Sequence, residues 1–241
     1  MPVTNFTFQY SAVPFSTLSN QGFDMIVAEV DPVSDPLDNA VGPDAQTSGI
    51  SILSAQEVQA LKNQGTEVFG YLSAGVVSSD RSYFEADGMD WFSGNGTSGT
   101  PTSDAPNFIQ NGRRLSDGFF AVDTDATEAP GVPTWEQIVL RQVKDLLDRG
   151  FDGIYLDDGN RYFVENDVAA TSDNASALID LVASVRALID GNPVTRGTKI
   201  FINTSPNILG DAQETGDPTF ANSINGIVLE SQALEEVDGD T

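Results

Sequence analysis

Between Gly150 and Tyr162 the chain reads G-F-D-G-I-Y-L-D-D-G-N-R-Y. Gly150 and Phe151 close a helical run and open a strand. Ile154, Tyr155 and Leu156 form a short apolar run, the composition of a parallel strand buried on both faces. Asp157 and Asp158 follow at once. Two adjacent acids beyond a buried strand burden a core unless they emerge at a mouth. In a barrel of parallel strands, that mouth is where chemistry is done. The rival reading is that the acids cap the next helix through its N-terminal N–H groups. It applies with more force to Asp158 than to Asp157.

Short apolar runs alternate with helical spacing along the whole chain. Strands are expected at Phe6–Tyr10, Phe23–Val30, Glu67–Leu72, Phe119–Asp123, within the Gly150 stretch, at Lys199–Asn203 and at Gly226–Glu230. Capping boxes at Ser54–Glu57 and Thr134–Gln137 open helices. Trp135, Ile138, Val139, Gln142, Leu146 and Leu147 recur at helical spacing. So do Leu178, Leu181, Val182, Val185, Leu188 and Ile189. Shorter helical segments are expected near Pro14–Ser19, Arg81–Met89 and Ile208–Glu214. Residues 31–49 read as a Pro-, Asp- and Gly-rich loop. Residues 90–117, rich in Gly, Ser, Thr and Pro, read as a long surface insertion beside the mouth.

The alternation predicts an α/β fold with a parallel sheet. Seven strands in one series favour a (β/α)8 barrel of TIM type, with its last strand missing or altered. Neither G-x-G-x-x-G after the first strand nor G-x-x-x-x-G-K-[ST] occurs, so nucleotide binding loses its main support. Residues 1–232 are expected to form one barrel domain, and 233–241 an acidic tail or the start of a linker.

Composition narrows the chemistry. The chain has 241 residues, 36 acidic and 11 basic, for a net charge of −25. Such an excess repels nucleic acid and anionic membrane surfaces and suits a neutral or cationic polymer. Cysteine and histidine are absent. That removes thiolate and imidazole metal sites and every Ser-His-Asp or Cys-His triad. No cofactor or metal site is expected. No stretch approaches the roughly 20 apolar residues of a membrane span. Acid and base groups must come from Asp, Glu, Tyr or Lys.

Polar residues stand where the apolar runs end: Glu29, Tyr71 with Ser73, Asp123, Asp157, Asn203 and Glu230. Loops are polar after any strand, so the pattern carries weight only because so many of the endings are carboxylates. Carboxylates without histidine or thiol fit glycoside hydrolysis. There one carboxylic acid protonates the leaving oxygen and a second carboxylate acts as nucleophile or as base toward water.

G-F-D-G-I-Y-L-D at 150–157 resembles the G-F-D-G-V-F-L-D signature of glycoside hydrolase family 114, the endo-α-1,4-polygalactosaminidase-like barrels. Further stretches agree in order. Phe23–Glu29 looks like the family's Y-D-L-V-V-I-D strand. Tyr71–Gly75, with Arg81 and Tyr83 following, looks like Y-L-S-V-G-E…R-x-Y. Phe201–Asn203 and Ile227–Ser231 are similar to its V-N and V-V-x-E-S strand ends. The resemblance implies Asp157 and Glu230 as the catalytic pair, with Glu230 favoured as the general acid and the roles open to exchange. It implies Glu29, Tyr71, Arg81, Asp123, Asp158 and Asn203 as residues lining the sugar subsites. Arg81 has an equally good reading as a structural ion-pair partner. The chain departs from the family's pattern at Val76, where the resemblance implies the usual Glu after Y-L-S-x-G.

The resulting expectation is an endo-acting glycosidase on an α-1,4-linked galactosamine polymer, monomeric and extracellular. The alternative is a non-catalytic carbohydrate-binding or matrix protein on the same barrel. A calcium-binding surface protein ranks last, because no D-x-[DN]-x-[DN]-G loop is present. The tail L-E-E-V-D-G-D-T resembles the linker into calcium-binding repeats of proteins exported by a C-terminal address. The chain is therefore expected to continue past Thr241 and to supply an eighth strand or its substitute. A salt-adapted source is the rival account of the acidity.

Overall fold

The computed structural model describes residues 5–9, 15–29, 53–77, 91–93, 100–115, 120–164, 167–213 and 218–229. In chain order the elements begin with β1 (Phe6–Gln9), α1 (Phe15–Asn20), β2 (Met25–Glu29), α2 (Ala55–Asn63) and β3 (Glu67–Ser73). A small excursion follows: β4 (Val76–Val77), β5 (Phe92–Ser93), β6 (Thr100–Pro101), α3 (Asn107–Gln110), β7 (Arg113–Arg114) and β8 (Phe120–Ala121). The alternation then resumes with α4 (Trp135–Arg149), β9 (Gly153–Asp157), a 3-10 turn at Gly159–Tyr162 and α5 (Val168–Asp190). It ends with β10 (Lys199–Asn203), α6 (Ile208–Asp211), α7 (Thr219–Ser223) and β11 (Gly226–Val228).

Both capping boxes form. The Ser54 and Thr134 hydroxyls accept the N–H groups of Glu57 and Gln137, whose side chains return to the cap backbones. Gly150 ends α4 in the left-handed conformation and turns the chain into β9.

Six parallel strands run in the order β1-β2-β3-β9-β10-β11. The sheet curls as part of a TIM-type barrel without closing: β1 and β11 do not pair among the described residues. Alternate side chains take opposite faces. Ile26, Ala28, Val68, Leu72, Ile154, Leu156, Ile200 and Ile202 share the main core with α2, α4 and α5. Val27, Phe69, Tyr71 and Tyr155 form a second cluster on the other face, joined by Met25, Phe201 and Val228. That inner face leads up to the candidate site.

On the inner face, large and small residues alternate across the strands. Phe69 and Phe201 lie 5.2 Å apart between ring centres. Gly153 sits beside one ring and Gly226 beside the other; a methyl at Gly153 would come within 2.0 Å of the Phe69 ring. At the opposite end of the sheet, Lys199 pairs with Glu67 at 2.7 Å and Lys62 with Asp152 at 2.8 Å.

Two expectations are corrected here. Phe119–Asp123 is not the fourth strand of the parallel sheet. Its described part is β8, which pairs antiparallel with β4 and β7, while β3 pairs directly with β9. Burial of Phe120, Ala121 and Val122 is satisfied equally well in either setting, so an apolar run does not select its partner. Nor is the segment 90–117 confined to the surface. Trp91, Phe92, Ala105, Phe108 and Ile109 are buried in the main core, and Phe108 packs against Trp135 of α4 at 5.6 Å. The expected helix at Arg81–Met89 and the loop at 31–49 lie outside the described residues.

Gly153→Ala is expected to destabilise the protein by about 1–3 kcal/mol, because the core must open around the Phe69 ring. Adding Phe69→Leu should return part of that loss. Urea unfolding of the single and double variants checks both; an unchanged midpoint in Gly153→Ala would contradict the packing.

Candidate active site

The register across β3, β9 and β10 assembles the site. Tyr71 faces Tyr155, and Ser73 faces Asp157. Leu156 faces Ile202, which sets Asp157 beside Asn203. Asp157, Tyr155 and Gly153 alternate onto one side of β9, so the carboxylate stands above the aromatic cluster of the inner face.

Asp157 is only 8% exposed. Its Oδ2 accepts the Tyr71 hydroxyl at 2.6 Å. Its Oδ1 accepts the Asn203 amide at 2.7 Å and the backbone N–H of Asp158 at 2.7 Å. Tyr71 is itself held by stacking on Tyr155, with ring centres 5.9 Å apart. Tyr71, Tyr155 and Asn203 are all buried. In so dry a setting the hydrogen bonds are strong and a missing one is costly.

The loop beyond β3 is fixed to its surroundings. The Ala74 N–H donates to the Asp157 carbonyl at 2.8 Å, and the Trp135 indole N–H donates to the Ala74 carbonyl at 2.7 Å. On the other side, the Thr204 hydroxyl donates to the Gly159 carbonyl at 3.0 Å.

Asp158 turns away from this carboxylate. Its Oδ2 lies 2.8 Å from the Ser73 hydroxyl and its Oδ1 3.5 Å from Arg161 Nε. Burial, and then the charge of Asp157, push its carboxyl above the usual range, while Ser73 and Arg161 pull it down.

The structure thus brings together Tyr71, Asp157, Asp158 and Asn203. Asp123 makes its side-chain contacts with other groups. It follows β8 in the small antiparallel sheet, its N–H donates to the Phe108 carbonyl at 2.9 Å, and its neighbours are Asp125 and Asn111. Glu29 ends β2 in register with Tyr71. Arg81 and Glu230 lie outside the described residues. Ser73, a strand end in the sequence, and Arg161 join the site through Asp158. The spacing of Arg161, three residues past Asp158, was the available signal for the ion pair. Among the described residues no cluster of carboxylates is placed to hold a metal ion. No described helix is long and apolar enough to cross a membrane.

The model of glycoside-hydrolase family GH114 matches residues 6–231. The chain belongs to family GH114. No curated protein sequence matches it. Among solved structures, this GH114 chain is similar to the glycoside hydrolase domain of PelA from Pseudomonas aeruginosa. The TM-score is 0.58 at 19% identity, over 95% of this chain and 68% of that one. It is also similar to Aspergillus fumigatus Ega3 in complex with galactosamine, with a TM-score of 0.54 at 14% identity, again over 95% of this chain and 68% of the other. At these identities the likeness speaks for the fold, and the family match for a glycoside hydrolase.

Two outcomes follow from the geometry. Tyr71→Phe removes a donor from a buried carboxylate and should cost about 1–3 kcal/mol in urea unfolding; no change would mean that water replaces the hydroxyl. Asp123 is pushed from 3.8 up to about 6, by burial first and then by its hydrogen bond and charge repulsion with Asp125, against the hydrogen bond from Asn111. The folded state therefore holds this proton at a higher pH than the unfolded chain does. Its contribution to stability is lost as pH rises through that window. Asp123→Asn should gain on wild type between about pH 4 and pH 7, read as the difference in unfolding midpoints.

Proposed function

We propose that this GH114 member is an endo-acting glycosidase cleaving an α-1,4-linked galactosamine polymer, with Asp157 and Glu230 as its carboxylate pair. The observation that carries the proposal is the Asp157 carboxylate at the end of β9, buried and held by Tyr71, Asn203 and the Asp158 N–H. All three partners can donate to it, and an ionised carboxylate only accepts. That donor set suits the partner that faces the anomeric carbon, directly or through a water molecule. Glu230 then supplies the proton to the glycosidic oxygen as the C1–O bond breaks. The net charge of −25 favours approach of a cationic amino-sugar chain. The Ega3 structure contains galactosamine, which supports that sugar as the first to try. A monomer acting outside the cell, built as one domain over 1–232, completes the reading.

One observation favours the non-catalytic alternative. Val76, where the family resemblance implies Glu, is 2% exposed and pairs with Ala121. A carboxylate expected near the mouth is thus replaced by a buried apolar side chain.

Incubation with galactosamine, N-acetylgalactosamine and galactose polymers, followed by reducing-end assay and product sizing, decides between the two. Hydrolysis of the first is expected. Asp157→Asn and Glu230→Gln should each lower the rate by roughly 10²–10⁴-fold with the fold intact by circular dichroism. Near-wild-type turnover in either variant overturns the pair. Binding without reducing-end release selects the alternative.

A further inference from the structure

Asp158 occupies the left-handed region, at φ 58° and ψ 15°. A residue with a side chain stays there only when its surroundings hold it. The turn aims the Asp158 N–H at Asp157 Oδ1, at 2.7 Å. It also presents the Asp158 carbonyl to the N–H of Arg161, at 3.1 Å, which opens the 3-10 turn. The same carbonyl crowds Gly75 so closely that a methyl there would meet it at 2.7 Å, an approach that glycine permits.

The hydrogen bonds around Ser73 bear on the state of the Asp158 carboxyl. Ser73 Oγ accepts the Val76 N–H at 3.1 Å and lies 2.9 Å from the Val76 carbonyl and 2.8 Å from Asp158 Oδ2. A hydroxyl carries one hydrogen. Given to the Val76 carbonyl, it leaves the contact with Asp158 without a donor unless Asp158 supplies one. Both contacts are made together when Asp158 is protonated. Burial and the neighbouring Asp157 charge act in the same direction; the Ser73 hydroxyl, where it donates to Asp158 instead of to Val76, and Arg161 act against them. The Arg161 guanidinium meets Asp158 at the long distance of 3.5 Å. Arg113, from β7, is committed to the carbonyls of Arg161 and Phe163.

We propose that Asp158 is a positioning residue for Asp157: a protonated carboxyl, tied to Ser73 and Arg161, that holds a left-handed turn whose N–H fixes the Asp157 carboxylate. The inference rests on the reading of Asp157 as a reacting group and gives Asp158 a role other than touching the sugar. The rival role is contact with a ligand in the small cleft that Asp158 lines with Gly75, Thr124 and Arg161.

Three variants assayed on galactosamine polymer test it. Asp158→Asn keeps a neutral donor for Ser73 and tolerates the left-handed turn, so it should hold kcat within about tenfold of wild type. Asp158→Ala loses both features and should lower kcat by about 10²-fold with KM little changed. Asp158→Gly restores the turn alone and should fall between them. Equal losses in the Asn and Ala variants would assign the carboxylate itself to the sugar or the reaction, and wild-type rates in Asp158→Ala would remove any role; either overturns the proposal. Carboxyl-carbon NMR titration of protein labelled at Asp gives a readout free of turnover. Besides Asp123, a further acid should stay protonated above the usual carboxylate range in wild type, and this one should be missing from Asp158→Asn. Identical titrations overturn the proposal even if the enzyme is active. If wild type cleaves none of the polymers, the glycosidase reading fails, and this titration still decides the state of Asp158.

Discussion

A carboxylate that is 8% exposed must be met by donors or it will cost several kcal/mol. Much of what surrounds β9 answers that demand for Asp157. Hydrogen bonds to a charged group contribute about 1.5–3 kcal/mol each, and Asp157 takes three: one from β3, one from β10 and one from its own chain neighbour. The strands that supply the first two are the two that pair with β9. Strand pairing and charge satisfaction are therefore one arrangement. A slip of one residue in either pairing would turn Tyr71 or Asn203 to the other face and strand the charge.

Beneath the carboxylate, the inner face is closed by aromatic rings that glycines on the facing strands make room for. Rings at this position exclude water from the underside of Asp157, which strengthens its hydrogen bonds. The opposite end of the sheet carries two of the three lysines, each paired with an acid. Those pairs are partly exposed, so each adds little to stability. Their effect is to hold two of the few positive charges away from the strand ends that carry Asp157.

The excursion between β3 and α4 adds a small antiparallel layer to the parallel sheet. Trp91, Phe108 and Phe120 are buried there in the main core, Phe108 against Trp135, whose indole N–H also pins the loop beyond β3. The segment acts as packing for the site's outer wall as well as surface. Val76 belongs to this wall, buried and paired with Ala121.

Periodicity and capping were legible in the chain. The alternation of apolar runs, the boxes at Ser54 and Thr134, the helical stripe from Trp135 to Leu147 and the acids after Leu156 depend on neighbours a few residues apart, and all of them appear where local rules place them. Family membership was legible for the same reason, since motifs are local. What lies in the long-range pairing was not. That Phe120 and Ala121 join an antiparallel hairpin, and that β3 meets β9 directly, depends on which strand edge is free. An apolar run reads the same for either partner. The different fates of Asp157 and Asp158 also belong to tertiary structure. Two identical side chains stand side by side in the sequence. Only the positions of Tyr71 and Asn203 on one side, and of Ser73 and Arg161 on the other, set one carboxylate among donors and turn its neighbour away.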